Sequence, residues 1–370
     1  MASPNPSSSS SAAAAADPRP EREVWMALAG PFARLPSEGT QVYYFPRGHA
    51  DQCGDVHNLA DVPLDEAIPC TVSSVELHYR AASDDPYAVI SLRPDQGPEQ
   101  HPAATGHEER TATATRYYVK QLGGTNDRCP FSVPKVFAED IFPDLVGQTS
   151  QDLPMVDVHG KQYNFSHLLN VSKGSHTLSA NWNNYSEDER LTLSMGKDAV
   201  VLARLAQGGF LIGLRRGGPS NDIALELVDN VREAVERAAA RDRVFTVAYY
   251  PRQGWPFVVP RKEVHDARAL NIDWRPGMDV RMAIPVDAHE HIASRRGTPN
   301  FFHGVISVVN NNNQWCKLQV DWNGSSTPNS NVNVWQVEAM EPSSKKRKAS
   351  DAASSSGTGS TLSGPGVKTE

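Results

Sequence analysis

Asp287, His289, Glu290 and His291 bring two carboxylates and two imidazoles within five residues, a donor set that could hold a divalent metal. Their spacing is not the HExxH pattern that sets two histidines on one helical face, so a polar loop is the favoured reading. The glycine pairs beginning at Gly123, Gly208 and Gly217 could cradle a phosphate, but none is followed by Lys-Ser/Thr and each sits at a hairpin position. A GxSxG nucleophile motif is absent. Cys53, Cys70, Cys129 and Cys316 form no CxxC pair, which leaves neither a zinc framework nor a disulfide scaffold and reads as free thiols. These patterns point away from an enzyme and toward a protein with no cofactor and no metal.

What remains is charge and hydrogen bonding. Lys345, Lys346, Arg347 and Lys348 form a basic run in a Ser-rich tail, which reads as a nuclear localisation signal and places the protein in the nucleus. The whole chain of 370 residues carries −7, a balance that by itself disfavours nucleic acid. By segment the picture changes. Residues 21–114 hold 6 basic and 15 acidic side chains, residues 115–217 hold 11 and 10, residues 218–341 hold 13 and 15, and residues 342–370 hold 5 and 2. Only the middle segment and the tail are positive, so any anionic partner is expected there.

The elements that must position these groups are mostly short strands. Composition is that of a globular chain, with 39% hydrophobic and 21% charged residues, and the Ser/Ala/Pro-rich residues 1–20 read as a disordered leader. No apolar stretch approaches the roughly 18 residues of a membrane helix, so a soluble intracellular protein without membrane partners is expected. Glu23 to Leu28 reads as a helix stopped at Gly30-Pro31. Strands are expected at Val42 to Phe45, Ile68 to Tyr79 and Tyr87 to Leu92, before a polar linker over 94–114. From Thr115 the pattern is again β-rich: Arg116 to Lys120, a loop from Gly123 to Pro130, a short helix capped by Ser132 with Pro134 in its first turn, and a hairpin from Met155 to Phe165 through His159-Gly160. His176 to Trp182, Ala199 to Leu205 and Phe210 to Leu214 follow as strands. Residues 221–240 switch to helical spacing, with Ile223, Leu227, Val231, Ala234, Val235 and Ala238 on one face, which could pack on a core or on a partner. Short strands separated by turns, among them Asn310 to Asn313, then fit a small barrel up to Val337.

Several of these strings occur in the order found in one family. Glu23-Val24-Trp25, Ala29-Gly30-Pro31, Leu35-Pro36, Gly39 and Val42-Tyr43-Tyr44-Phe45-Pro46 with Gly48-His49 resemble the opening of the plant auxin response factors. Tyr87 to Leu92 resembles the strand before that family's DNA-binding domain. Phe131-Ser132-Val133, Asp157-Val158-His159-Gly160-Lys161, the His176 to Trp182 stretch and Leu214-Arg215-Arg216 resemble its B-three type domain. Phe245-Thr246-Val247, Tyr250-Pro251-Arg252, Gly277-Met278, Val320-Asp321-Trp322 and Trp335 to Glu338 resemble the segments downstream. The resemblance covers roughly residues 21–341. It implies a mainly β fold with helices: a seven-stranded DNA-binding pseudobarrel over 115–217, flanked by a dimerisation unit and a small Tudor-like ancillary barrel. The dimerisation unit would draw on 21–114 and on 218–341, the latter also holding the ancillary barrel, and the basic tail would be 342–370.

The implied partners are double-stranded promoter DNA carrying paired TGTC-type elements, and a second copy or another auxin response factor in a dimer; no small-molecule cofactor is implied. The residues that the resemblance points to for DNA contact are Lys120, Thr125, Asn126, Arg128, Ser132, Lys173, Ser175, His176 and Asn181. Two departures matter. Arg128 stands where the family has the histidine of His-Gly-Gly-Phe, and Asn170 to His176 replaces a loop with arginines on both sides of Gly-x-Pro, leaving Lys173 and His176. Each good bidentate base contact is worth about 1–3 kcal/mol of discrimination, so two readings stay open. In one the chain binds its element and represses by occupancy; in the other it keeps the fold, loses base recognition and competes through protein interactions. Arg241-Asp242-Arg243, where the family has a glycine-bearing turn, leaves dimerisation open as well. The sequence also ends before the family's middle region and C-terminal interaction domain, which argues against direct control by the usual repressor partners.

Overall fold

The computed structural model describes residues 21–54, 59–81, 83–95, 115–123, 130–187, 193–219, 224–241, 243–284, 301–324 and 328–340. The chain is mainly β, with curled sheets that form half-barrels. It opens with α1 (Arg22–Ala29), which ends where Gly30 takes φ +95° and donates its N–H to Met26 O. Then come β1 (Gln41–Tyr44), α2 (Pro46–Asp51), and the long hairpin of β2 (Ile68–Tyr79) and β3 (Pro86–Pro94).

Next are β4 (Arg116–Gln121), β5 (Phe131–Val133), α3 (Lys135–Ile141), β6 (Ser150–Val156), β7 (Gln162–Asn170), β8 (Ser175–Leu178), α4 (Trp182–Ser186), β9 (Ala199–Arg204) and β10 (Phe210–Arg215). They form one seven-stranded sheet in the order β4-β9-β10-β6-β7-β8-β5, with β10 and β6 parallel. Its curl encloses Tyr118, Phe131, Leu153, Phe165, Trp182, Val200 and Ile212. Alternation supplies this core, since every second residue of β7 points inward.

The chain returns through α5 (Ala224–Ala240), β11 (Phe245–Tyr249), β12 (Val258–Pro260) and α6 (Arg261–Ala269). β11 pairs directly with β3, Phe245 opposite Leu92, so a five-stranded sheet in the order β11-β3-β2-β1-β12 is assembled from both sides of the pseudobarrel. The stripe Leu227, Val231, Ala234, Val235 and Ala238 of α5 is buried in this sheet's core. Leu227, Val231 and Val235 contribute roughly 1.5–3 kcal/mol each on burial. The helix face is therefore core-facing, while Ile223 and Asp242 lie outside the described residues. Arg261, 4% exposed, donates to the carbonyls of Val42 and Cys70 and pairs with Asp95, so its charge is compensated inside.

The last sheet is a small barrel of β13 (Asp279–Ala283), β14 (Phe301–Val309), β15 (Leu318–Trp322), β16 (Asn331–Val332) and β17 (Glu338–Ala339), in the order β16-β15-β14-β13-β17. Its Val280, Ile306, Leu318 and Val320 merge with the core of the five-stranded sheet. Trp315 closes the joint: its Nε1 donates to Asp51 Oδ2 at 2.8 Å, and its ring packs against Phe45 at 5.3 Å between centroids, tilted by 40°. Among the described residues no helix is long and apolar enough to cross a membrane.

Two sequence expectations change, and two helices stand where none was expected. Val42 to Phe45 is followed by a helix, α2, whose start at Pro46 exploits the fixed φ of proline. A second unforeseen helix, α6, begins after Pro260. Ser132 caps nothing, because it lies in the middle of β5 and Pro134 takes the cap position of α3 without a side-chain bond. The strand expected to run to Trp182 ends at Leu178, since Asn181 adopts φ +60° and turns the chain into α4. The linker 94–114 lies almost wholly outside the described residues.

Gly48 has no room for a side chain: a Cβ there would stand 2.5 Å from the Trp315 ring and 2.8 Å from Phe257 Cβ. Gly48→Ala is expected to cost about 1–3 kcal/mol through overpacking at this joint. Thermal melts of the two proteins check it, and an unchanged midpoint would show that the joint is not close-packed.

Candidate nucleic-acid interface

Two loops and one strand pair make the candidate interface. β5 and β8 pair antiparallel, Phe131 opposite Leu178 and Val133 opposite His176. The loop that enters β5 therefore meets one end of this short pair and the β7–β8 turn meets the other, two residue steps or about 7 Å apart. The pair is anchored by Phe131, which is fully buried and stacks on Trp182 at 4.3 Å between ring centroids.

At the first loop, Lys120 leaves the end of β4, donates to the Ser132 carbonyl at 2.6 Å and lies over the Phe131 ring at 4.4 Å. Lys120 and Ser132 are thus brought together, with the ammonium bracing the base of the loop. The backbone there is held by Leu122 N–H to Asp198 O at 2.8 Å and Gly196 N–H to Leu122 O at 2.7 Å. Thr125, Asn126 and Arg128 lie outside the described residues, as does Cys129.

The second loop is an Asx-type turn. Asn170 Oδ1 accepts from Ser172 Oγ at 2.8 Å and from the Lys173 N–H at 3.2 Å, and Gly174 takes φ +58°. That geometry presents Val171, Lys173 and Ser175 to solvent. Asn181 stands apart, at the start of α4, with its amide committed: Nδ2 donates to Asn164 O at 2.6 Å and Oδ1 accepts from Asn184 at 2.9 Å.

His176 does not extend into solvent. It is 7% exposed, and its ring stacks on that of His167, 2% exposed, with Nδ1 and Nε2 2.9 Å apart. The tautomers follow from the donors available. The Gln151 amide donates to Pro143 O and to His167 Nδ1, so His167 carries its proton on Nε2 and donates it to His176 Nδ1. Burial, and then the neighbouring His176, push the His167 ring down to about 4. Burial also lowers His176, with Glu139 opposing and Lys135 assisting. Both rings are therefore neutral near pH 7 and serve as a brace under the β7–β8 turn. Sequence reading missed Asn170, Gln151 and His167 in these roles. Asn170 carried a usable signal, an Asx residue followed four places later by glycine; the Gln151–His167 contact joins two strands and has no local signature.

The charge around the loops is balanced. Asp140 is engaged by Arg116 Nη1 at 2.8 Å and by the Tyr118 hydroxyl at 2.9 Å, and Lys135 pairs with Glu139 at 3.5 Å. Segment 115–217 totals 11 basic and 10 acidic groups, a net +1, so the general attraction to phosphate is weak and individual loop residues matter more.

The imidazole brace has a pH signature. Its folded value near 4 lies below the ordinary value of about 6.5 in the unfolded chain. As pH falls the unfolded chain takes up the proton first, so this contribution to stability is complete above about pH 6.5 and declines toward pH 4. Buried His49, lowered to about 3 by desolvation, adds to the slope in the same direction. His167→Gln is expected to flatten the loss between pH 6.5 and 4 in urea melts, leaving the shares of His49 and His176; equal slopes in both proteins would contradict the brace.

No family model matches the chain. Curated proteins do, among them three of Oryza sativa subsp. japonica. Auxin response factor 13 is 34% identical over 354 residues, 87% of this chain and 63% of the relative. Auxin response factor 5 is 30% identical over 344 residues, covering 86% of this chain and 30% of the relative, and auxin response factor 19 is 29% identical over 344 residues, covering 86% and 29%. The chain thus spans less than two thirds of the length of each. A match covering about six sevenths of the chain must run through both five-stranded sheets as well as the pseudobarrel between them, and on that extent the chain belongs to the auxin response factor family.

Proposed function

We propose that this protein is a nuclear, non-enzymatic regulator of transcription that binds auxin-responsive promoter DNA of the TGTC type and represses by occupying it. The observation that carries this reading is the Asx-braced turn at Asn170–Gly174, which holds Lys173 exposed at the end of a pseudobarrel in a member of this family. In the proposal residues 115–217 are the DNA-binding part. Residues 21–114 and 218–341 form the dimerisation unit and ancillary barrel, and residues 342–370 carry the localisation signal Lys345 to Lys348, which lies outside the described residues. A homodimer, or a heterodimer with another auxin response factor, would read two half-sites related by its two-fold axis.

Within the loops the roles divide. Lys173 is assigned to phosphate, since a lone ammonium on an exposed turn sets register without reading a base. Arg128 is assigned to a base edge, where a guanidinium matches guanine O6 and N7. Ser175, Thr125 and Asn126 are assigned to direct contact as short hydrogen-bonding side chains. Lys120, His176 and Asn181 are assigned to holding the loops, because their side chains are bonded within the protein, and Ser132 because its carbonyl takes the Lys120 ammonium.

A second reading, a competitor acting through dimerisation with little base recognition, is favoured by one observation: the net +1 charge of segment 115–217. Fluorescence anisotropy of the full chain with a paired-TGTC duplex and a scrambled duplex, at two salt concentrations, separates the two. Direct reading predicts a preference of about tenfold or more, which is about 1.4 kcal/mol. Arg128→Ala should remove about 1–3 kcal/mol of that preference. Lys173→Ala should weaken both duplexes alike and reduce the salt slope by about 0.9. Equal affinity of the unaltered protein for both duplexes would retire direct reading and leave the competitor.

A further inference from the structure

A cavity of about 180 Å³ lies between the five-stranded sheet and the ancillary barrel, away from the loops above. Three of its walls are aromatic. Phe32 and Trp255 meet at 89° with ring centroids 5.4 Å apart, and Trp335 contributes a third ring. Trp255 is fixed by its Nε1 donating to Asn331 O at 2.8 Å, and Trp335 by packing on Phe45 at 5.2 Å. Met282 adds a thioether side chain to the lining.

The polar part of the lining is rich in acceptors. β12 is an edge strand, paired on one side only, with β1. Phe45 N–H donates to Phe257 O, and Tyr43 faces Val259, so Val258 between them turns its backbone groups away from β1, toward the open edge. Pro256 and Pro260 share that parity and have no N–H to offer. The carboxylate of Glu263, on α6, also lines the cavity. Burial raises its carboxyl and Arg34 opposes the rise. Arg34 is the cation among the lining residues, and its Nη1 is committed to the carbonyls of Pro31 and Ala33, both at 2.8 Å.

Aromatic faces carry negative potential and attract cations, and a methylated ammonium gains from apolar walls without needing a full set of acceptors. We propose that this cavity binds a quaternary methylammonium group, held by Phe32, Trp255 and Trp335 and neutralised by Glu263. The shared chemistry could come from a trimethyllysine side chain or from a free quaternary amine such as choline.

Isothermal titration of the full chain tests it with four probes: tetramethylammonium chloride, choline, a short trimethyllysine peptide, and 3,3-dimethylbutanol, the neutral carbon analogue of choline. Saturable binding is expected for the cations, about tenfold or more tighter than for the neutral analogue. A peptide that outbinds choline places the group on a protein tail, and the reverse places it on a free amine; both support the cavity. Glu263→Gln, a change of charge at nearly constant shape, should weaken the cations about threefold or more, and Arg34→Ala should strengthen them by removing a competing charge. The proposal falls if no cation binds at about 10 mM, the region of negligible affinity, if the neutral analogue binds equally, or if Arg34→Ala weakens binding.

Discussion

The fold depends on one helix whose two faces serve two cores. Val24, Ala27 and Leu28 of α1 pack with Val119, Ala199, Val201 and Ala203 on the outer face of the seven-stranded sheet. Trp25, on the other side of the same turn, is fully buried in the five-stranded sheet and donates its Nε1 to the carbonyls of both His78 and Tyr87, 3.2 Å each. An eight-residue helix has little intrinsic stability in water and persists because both its faces are buried. Helical periodicity places Trp25 and Leu28 three residues apart, yet the neighbouring curled sheets reach both. Polar contacts reinforce the same seam: His159 Nε2 lies 2.7 Å from Asp84 Oδ1, and Arg215 donates to Ala27 O at 3.4 Å. The orientation of the candidate loops relative to the rest of the chain follows from this seam.

The interface itself is held from behind. A lysine bonded to a backbone carbonyl braces one loop, and a chain of amide and two neutral imidazoles braces the strand that leaves the other. Groups of this kind are costly to bury unpaired, and in the Gln151–His167–His176 chain the amide and both nitrogens of His167 are hydrogen-bonded. The exposed turn can then be polar and small while its backbone stays fixed.

Much of the fold was legible in the sequence because the signals were local. The strand Ile68 to Tyr79 falls on the expected residues, and the stripe Leu227, Val231, Ala234, Val235 and Ala238 reads directly as the buried face of a helix. Gly30-Pro31 marked a real helix end. What escaped depends on tertiary context. The strand at Val42 was expected to end before Pro46, and nothing local marked that proline as the first turn of a helix, a role it also suits. Ser132 looked like a cap because Pro134 follows, but pairing with Thr177 keeps it in a strand. For the candidate interface, a turn does lie at Asn170–Gly174, where the resemblance placed the second loop, while the centre of the first loop lies outside the described residues. The sequence could not show that His176 turns inward, since that depends on His167 across the hairpin.

The pairing of β3 with β11 means that the strands leading into and out of the pseudobarrel are hydrogen-bonded neighbours. They lie about 4.8 Å apart, whatever the length or content of the chain between them. The pseudobarrel is thus an insertion whose ends are already closed by the host sheet, and closure entropy rises only slowly with the length inserted. In evolutionary terms this separates two rates of change. Substitutions in the loops of the insert can accumulate without disturbing the frame, while α1, which touches both parts, is constrained on two sides at once. A loop such as Asn170 to His176 is free to change in such an arrangement while the frame keeps its form.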